Sequence, residues 1–250
     1  MSLLDAVIAS GQIPDRASEQ AVKKRYSERL SRNLAVEVAE GLRRVGFPTV
    51  KPERNGPQEK EFQGGLGPKK VDVTYSDEQH GLIFAVSIKT ITAPPFGKNL
   101  KNRFGDLCTE AITLHMRFPY SVVCSLFAFP STADHDHSDT LGRRPISTFQ
   151  RATQLFATIS GRRDYTDPGE KFENVTMMLF QPVLEDGSQP TLKLFDTLSK
   201  EELTEQQYFS RLLDLHNRRN PHALIEELEA TLEESDESAE ETPDVGPAAD

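Results

Sequence analysis

Two charged residues stand inside apolar, strand-patterned sequence: Asp72, within Lys69-Lys70-Val71-Asp72-Val73-Thr74-Tyr75, and Lys89, within Leu82-Ile83-Phe84-Ala85-Val86-Ser87-Ile88-Lys89-Thr90. A carboxylate or an ammonium on a central strand is costly unless it is paired or binds a metal. A cross-strand ion pair is the plain explanation of the two. The other is a site in which the carboxylate holds a cation and the ammonium works beside it.

The elements that must position these groups follow from the pattern around them. Val71, Val73 and Tyr75 alternate with Asp72 and Thr74, a period of two, and Leu82 to Ile91 is β-branched and mostly apolar. A polar connection, Ser76 to Gly81, joins them, so residues 69–90 are predicted to form a β-hairpin. Before it the pattern is helical from Ala17 to Val45, with Leu30, Leu34, Val38 and Leu42 on one face and Gly46 as the stop. Residues 1–16 are expected as a loosely held leader. Short strands are expected at Phe47 to Lys51 and near Lys60 to Gln63, within a loop spanning residues 52–69. After the hairpin, Thr92 to Arg103 is predicted as a basic Pro/Gly/Asn loop. Asn102 to Met116 follows as a helix with Leu107, Ala111 and Leu114 buried. Then come a buried strand at Ser121 to Phe129, a loop over 130–145, a helix at Ile146 to Ser160, a strand at Asn174 to Gln181 and a helix at Lys200 to Arg219.

Of the chain's 39 acidic residues, eleven fall in residues 224–250, where there is no Lys or Arg; the rest holds 28 acids against 29 bases. The acidic balance thus describes the tail, and the remainder is close to neutral, which neither demands nor excludes a nucleic-acid partner. A short amphipathic helix (Leu224, Leu228, Leu232) is expected to fade into that tail, which cannot bury enough apolar surface to fold alone. Cys108 and Cys124 have no CxxC or Cys/His spacing and read as reduced core residues. With no basic n-region, long apolar run or transmembrane-length stretch, a soluble cytoplasmic protein without a membrane partner is expected.

The order helix, strand, strand pair carrying Asp72 then Lys89, helix, strand resembles the PD-(D/E)XK nuclease superfamily over roughly residues 20–130. The matching motifs are Val71-Asp72-Val73 and Ser87-Ile88-Lys89, with no Pro before the Asp. The fold this implies is α/β (α+β), a restriction-endonuclease-like αβββαβ core with a central mixed sheet flanked by helices. A C-terminal extension over 131–223 would complete a single domain spanning 17–223. The implied activity is Mg²⁺-dependent hydrolysis of DNA phosphodiesters, with Mn²⁺ as a substitute, in restriction or antiviral defence.

One departure bears on the metal: Ser87 stands where the family's second acid would be, and hard cations need several oxygen ligands. The resemblance to Ser-x-Lys restriction enzymes implies that the carboxylate comes from the following helix, where Glu110 is favoured over Asp106, and that the first helix offers Glu28 or Glu37. Asp72, Ser87, Lys89 and Glu110 are then the catalytic candidates. Asp72, Glu110, Asp106, Glu28 and Glu37 are the metal-ligand candidates. Lys69, Lys70, Lys98, Lys101, Arg103 and Arg117 are placed to meet DNA phosphates. Cutting both strands implies a homodimer. The alternative is a catalytically inactive nuclease-like module, in which Ser87 marks lost catalysis and the chain binds DNA or assembles with a partner protein, the C-terminal region offering one docking segment.

Other motifs have plainer readings. Asp134-His135-Asp136-His137 lies in a loop with no second ligand cluster and reads as a solvated turn. Gly64-Gly65-x-Gly67 lacks the strand-to-helix context of a phosphate loop. His115 and Arg117 could contact substrate, and the negative end of a helix dipole is a sufficient plain reason for cations there.

Overall fold

The computed structural model describes residues 2–57, 59–137, 146–184 and 188–226. Its centre is a seven-stranded mixed sheet with helices on both faces. In chain order the elements are α1 (Leu3–Ala9), α2 (Gln20–Arg44), β1 (Val50–Lys51), β2 (Lys60–Gly64), β3 (Gly67–Val71), β4 (Val73–Asp77), β5 (Gly81–Thr90) and α3 (Phe96–Arg117). There follow β6 (Val122–Pro130), a 3₁₀ turn (Ser131–Ala133), α4 (Thr148–Ala157), β7 (Asn174–Gln181), β8 (Thr191–Asp196), β9 (Glu202–Leu203) and α5 (Glu205–Arg219). The sheet order is β1-β4-β5-β6-β7-β8-β9, with β5, β6 and β7 parallel and the flanking pairs antiparallel. The parallel steps are made by crossovers through α3 and α4, as parallel neighbours require. Among the described residues, no helix is long and apolar enough to cross a membrane.

Strand alternation, shifted by a register irregularity opposite Tyr75 and Ser76, divides β5 between two cores. Phe84, Val86 and Ile88 point into a core shared with α1, α2 and α5, while Leu82 and Ala85 belong to the core under α3 and α4. Ser87 is buried and lies toward α3, bonded to its Glu110.

The structure corrects several sequence expectations. The stretch Lys69 to Tyr75 is not one strand. Val71 pairs with Lys60 in a separate two-stranded ribbon, β2–β3, whereas Val73 pairs with Val86 in the main sheet. Asp72 is the corner between them, and the alternating pattern is the same on either side of it, which is why the break is invisible in sequence. Residues 3–9 are a helix rather than a loose leader: Ser2 and Asp5 form a capping box, and Leu3, Ala6 and Val7 are buried. The basic segment expected as a loop becomes helix from Phe96 onward. Pro94 and Pro95 precede the first turn, where proline is tolerated, and the buried Phe96 and Leu100 hold Gly97, Asn99 and Asn102 in helix despite their weak propensity. Lys98, Lys101 and Arg103 therefore stand on a helix. Strands β8 and β9 were not expected; their residues are exposed at alternate positions and short, giving little apolar signal. Residues 224–226 are irregular, and the rest of the expected amphipathic helix and tail lies outside the described residues.

A second buried charge group ties the far end of the sheet. Glu173 accepts from the Val123 amide (2.7 Å) at the start of β6, from Arg162 (2.8 Å) and from Arg219 (3.0 Å) of α5. Burial pushes the Glu173 carboxyl up, but His115, the Val123 N–H and Arg162 outweigh it and hold it below its ordinary value. Glu173→Gln leaves two guanidiniums without their counter-charge and is expected to cost about 3–5 kcal/mol in urea unfolding at neutral pH. Because the folded value is depressed, that stabilisation is present above the ordinary carboxylate value and fades as pH falls through the folded one. A Gln variant as stable as the wild type at pH 7 would contradict the pairing.

Candidate active site

The corner at Asp72 has a consequence for β5. Since β4 begins only at Val73, opposite Val86, the amide of Ile88 has no β4 carbonyl to meet. The Asp72 carboxylate takes its place, with Oδ2 2.6 Å from the Ile88 nitrogen. This bond fixes Asp72 over the strand one residue before Lys89.

From the facing helix α3, Glu110 enters the same space. Its side chain is 1% exposed, on the face that also carries the buried Leu107, Ala111 and Leu114. One carboxylate oxygen accepts a hydrogen bond from the Ser87 hydroxyl. The other receives Lys89 Nζ at 3.0 Å and Lys69 Nζ at 2.9 Å. Lys89 Nζ also donates to Ser87 Oγ (3.1 Å) and lies 3.7 Å from Asp72 Oδ2. Two carboxylates, two ammonium groups and a hydroxyl thus meet at the junction of β3, β5 and α3, with the Lys89 ammonium standing between the two acids.

The charges tune one another. Burial pushes the Asp72 carboxyl above its ordinary value; Lys89 and the Ile88 N–H oppose that shift, and the nearby negative charge of Glu110 adds to it. Burial also acts to raise Glu110, but Lys89, Lys69 and the Ser87 hydroxyl outweigh it, so Glu110 is held below the ordinary range and ionised. For Lys89, burial alone would lower the ammonium; Glu110 and Asp72 outweigh it and keep it charged. Two acids with environments that push their proton affinities apart are a recurrent mark of a working site.

The remaining sequence candidates stand outside the cluster, although Glu28 and Asp106 line the cleft beside it together with Lys101 and Arg103. Asp106, one helical turn before Glu110, is exposed and paired with Arg103 at 3.1 Å. Glu28 is exposed on α2, 3.6 Å from Lys24. Glu37 is buried against the opposite face of the sheet and bonded to Arg54 at 2.7 Å, so it joins an ion pair rather than the cluster. Lys69, expected to be a phosphate contact, is engaged by Glu110. Lys70 is exposed on β3 and Lys98 on the first turn of α3. Arg117 lies fourteen residues beyond Arg103 on α3, about 21 Å along the axis. His115 is buried, its Nδ1 2.9 Å from the Gly169 carbonyl oxygen.

Beside the cluster opens a polar cleft of about 880 Å³ between the start of α2 and the first half of α3. Thr90, which follows Lys89, and Thr109, which precedes Glu110, line it, together with Lys23, Lys24, Lys101 and Arg103. Sequence reasoning named Lys101 and Arg103 but missed Lys23 and Lys24. They lie nearly eighty residues from Lys101 and Arg103 in sequence, and only the packing of α2 on the sheet brings them to the same cleft. Among the described residues no group of three or more His, Cys, Asp or Glu gathers as a metal cage.

No protein-family model, curated protein or solved structure matches this chain.

Proposed function

We propose that this protein is a Mg²⁺-dependent endonuclease acting on DNA, and that Asp72, Ser87, Lys89 and Glu110 form its active site. The observation that carries this reading is the convergence of Asp72 and Glu110, from a strand corner and a facing helix, on one lysine ammonium beside a cationic cleft. The donor set fits Mg²⁺, which keeps several waters and is commonly bound through one or two carboxylates plus substrate phosphate. Asp72 and Glu110 would hold it, and bound there it would supply charge stabilisation at the phosphoryl and leaving oxygens. Lys89 then orients the attacking water and stabilises the charge that develops at the phosphorus oxygens. Ser87 keeps Lys89 and Glu110 in register by bonding both. Lys23, Lys24, Lys101 and Arg103 line the cleft along which a phosphodiester backbone would run. We further propose a homodimer, because cutting both strands takes two such sites, and a role in restriction or defence within the cytoplasm.

Purified protein with supercoiled plasmid in Mg²⁺, Mn²⁺ or EDTA, alongside Lys89→Ala, tests the reading. Metal-dependent cutting that vanishes in the variant supports it. Cutting that survives Lys89→Ala places the chemistry elsewhere.

One observation favours the alternative of a catalytically inactive DNA-binding or assembly module. Both oxygens of Glu110 are already engaged, by Ser87, Lys89 and Lys69. A cation can approach Glu110 only if one ammonium withdraws, and Lys69, 33% exposed against 16% for Lys89, is the one with an open route. Lys69→Met removes that competitor and is expected to tighten Mn²⁺ binding in calorimetry severalfold, with little change at Lys89. Absence of metal binding in both wild type and Lys69→Met would favour the inactive module.

A further inference from the structure

At the edge of the sheet opposite Lys89, where β6 and β7 begin, lies a cavity of about 700 Å³ with no part in the proposed hydrolysis. It is lined by five arginines, Arg162, Arg163, Arg211, Arg218 and Arg219, against three carboxylates, Glu173, Asp196 and Asp214. Two of the carboxylates are fully engaged. Glu173 takes the Val123 amide, Arg162 and Arg219. Asp196 takes Asn174 (2.8 Å), the Leu198 and Ser199 amides (2.9 and 2.8 Å) and Arg211 (3.0 Å).

The arginines are not correspondingly satisfied. Arg162 is 3% exposed, yet its Nε is buried and donates to nothing among the described residues; the same is true of Nη1 of Arg219. A buried N–H without an acceptor costs about 1–3 kcal/mol, more when it belongs to a charged group. At the rim, Arg163 and Arg218 are exposed, and neither guanidinium meets a carboxylate among the described residues. Arg218 reaches only the Asp214 carbonyl, at 3.3 Å. The rim therefore offers free charge above a floor of buried guanidiniums, in a volume suited to a small ligand.

We propose that this cavity binds a phosphate-bearing ligand, with the rim guanidiniums of Arg163 and Arg218 gripping phosphate oxygens over the buried guanidiniums of Arg162 and Arg219. Guanidinium matches phosphate by paired, charge-assisted hydrogen bonds, which a water or chloride cannot reproduce. The site stands independently of the hydrolytic reading, since it shares no residue with the Asp72–Lys89–Glu110 cluster. Phosphate of this kind reaches the protein either as a free nucleotide or as the backbone of a nucleic acid, and the cavity recognises the group common to both.

The test is thermal unfolding of the full chain with pyrophosphate against chloride at matched ionic strength, for wild type, Arg163→Ala, Arg218→Ala and Asp214→Asn. Both arginines are exposed, so their loss should not disturb folding. The expected result is a saturable pyrophosphate stabilisation in the wild type. Its apparent affinity should weaken about tenfold or more in each arginine variant, as loss of a charged hydrogen bond implies. It should tighten in Asp214→Asn. The same variants titrated with ADP and with a short DNA duplex identify the source. Weakened ADP binding assigns a free nucleotide, and weakened duplex binding alone assigns the backbone. No stabilisation beyond chloride, or stabilisation unchanged in both arginine variants, overturns the proposal.

Discussion

Lys89→Ala is expected to reduce metal-dependent DNA cleavage by about 10²–10⁴-fold, the usual contribution of a positioned proton-transfer or charge-stabilising group. The size follows from where the ammonium stands. It is 3.0 Å from Glu110 and 3.7 Å from Asp72, on the strand that Asp72 itself grips through the Ile88 amide. Asp72 is fixed by a backbone bond rather than by Lys89, so the variant should retain Asp72 in place and lose the chemistry without losing the site. Stability should respond separately. In the absence of metal the two carboxylates lose their shared counter-ion. Asp72, whose proton affinity burial already raises, should then take up a proton, limiting the loss. Lys69 still covers Glu110. Single-turnover cleavage and urea unfolding, each with and without Mn²⁺, separate the two effects. A Lys89→Ala protein that cuts at the wild-type rate, while unfolding normally, removes Lys89 from the mechanism.

Asp72 also sets a pH dependence for the cation. To ligate a metal its carboxyl must be ionised, and burial raises its proton affinity. Metal affinity should therefore climb as pH rises through the folded Asp72 value, with protons released on binding.

What was legible in the sequence, and what was not, divides along a physical line. Asp72, Lys89 and Ser87 could be singled out because a charge or hydroxyl within β-branched sequence violates the strand pattern locally. The mixed α/β architecture was legible for the same reason, since the helical repeats of α2 and the apolar run of β6 are local signals. Glu110 stood out over Asp106 only by fit to the helix that follows the lysine strand; its burial depends on how α3 lies across β5. Lys69 was seen as a loop cation, because nothing in Lys69-Lys70 says that β3 leaves the main sheet and lays one of them against Glu110. The strand break at Asp72, the helix at 96–103 and the arginine cavity are likewise products of tertiary packing. Arg162 follows α4 whereas Arg211 and Arg219 stand about two turns apart on α5, and each alone reads as an ordinary surface cation.

Glu110→Ala is expected to cost about 3–5 kcal/mol of stability at neutral pH, the cost of removing one partner from a buried charge group. The carboxylate is 1% exposed and answers two ammoniums and a hydroxyl. Its loss leaves Lys89 and Lys69 with only Asp72 as counter-charge. Lys69 can turn outward to water, being 33% exposed, whereas Lys89 cannot without abandoning Ser87. Glu110→Gln isolates the charge from the cavity left by truncation, because the amide keeps the volume and can still accept from Ser87. The sign of the pH dependence follows from the depressed value of Glu110. Its stabilisation is fully present above the ordinary carboxylate value of about 4.3 and disappears as pH falls through the lower, folded value. Wild type and Glu110→Gln should therefore differ most at neutral pH and converge in acid, when the wild-type carboxyl is protonated too. Urea midpoints measured from pH 7 downward test this directly. Parallel curves would mean that Glu110 carries no charge worth stabilising and that the cluster is held by packing alone. Convergence in acid, joined to loss of Mn²⁺ binding in the Gln variant, would tie the same carboxylate to both the fold and the cation.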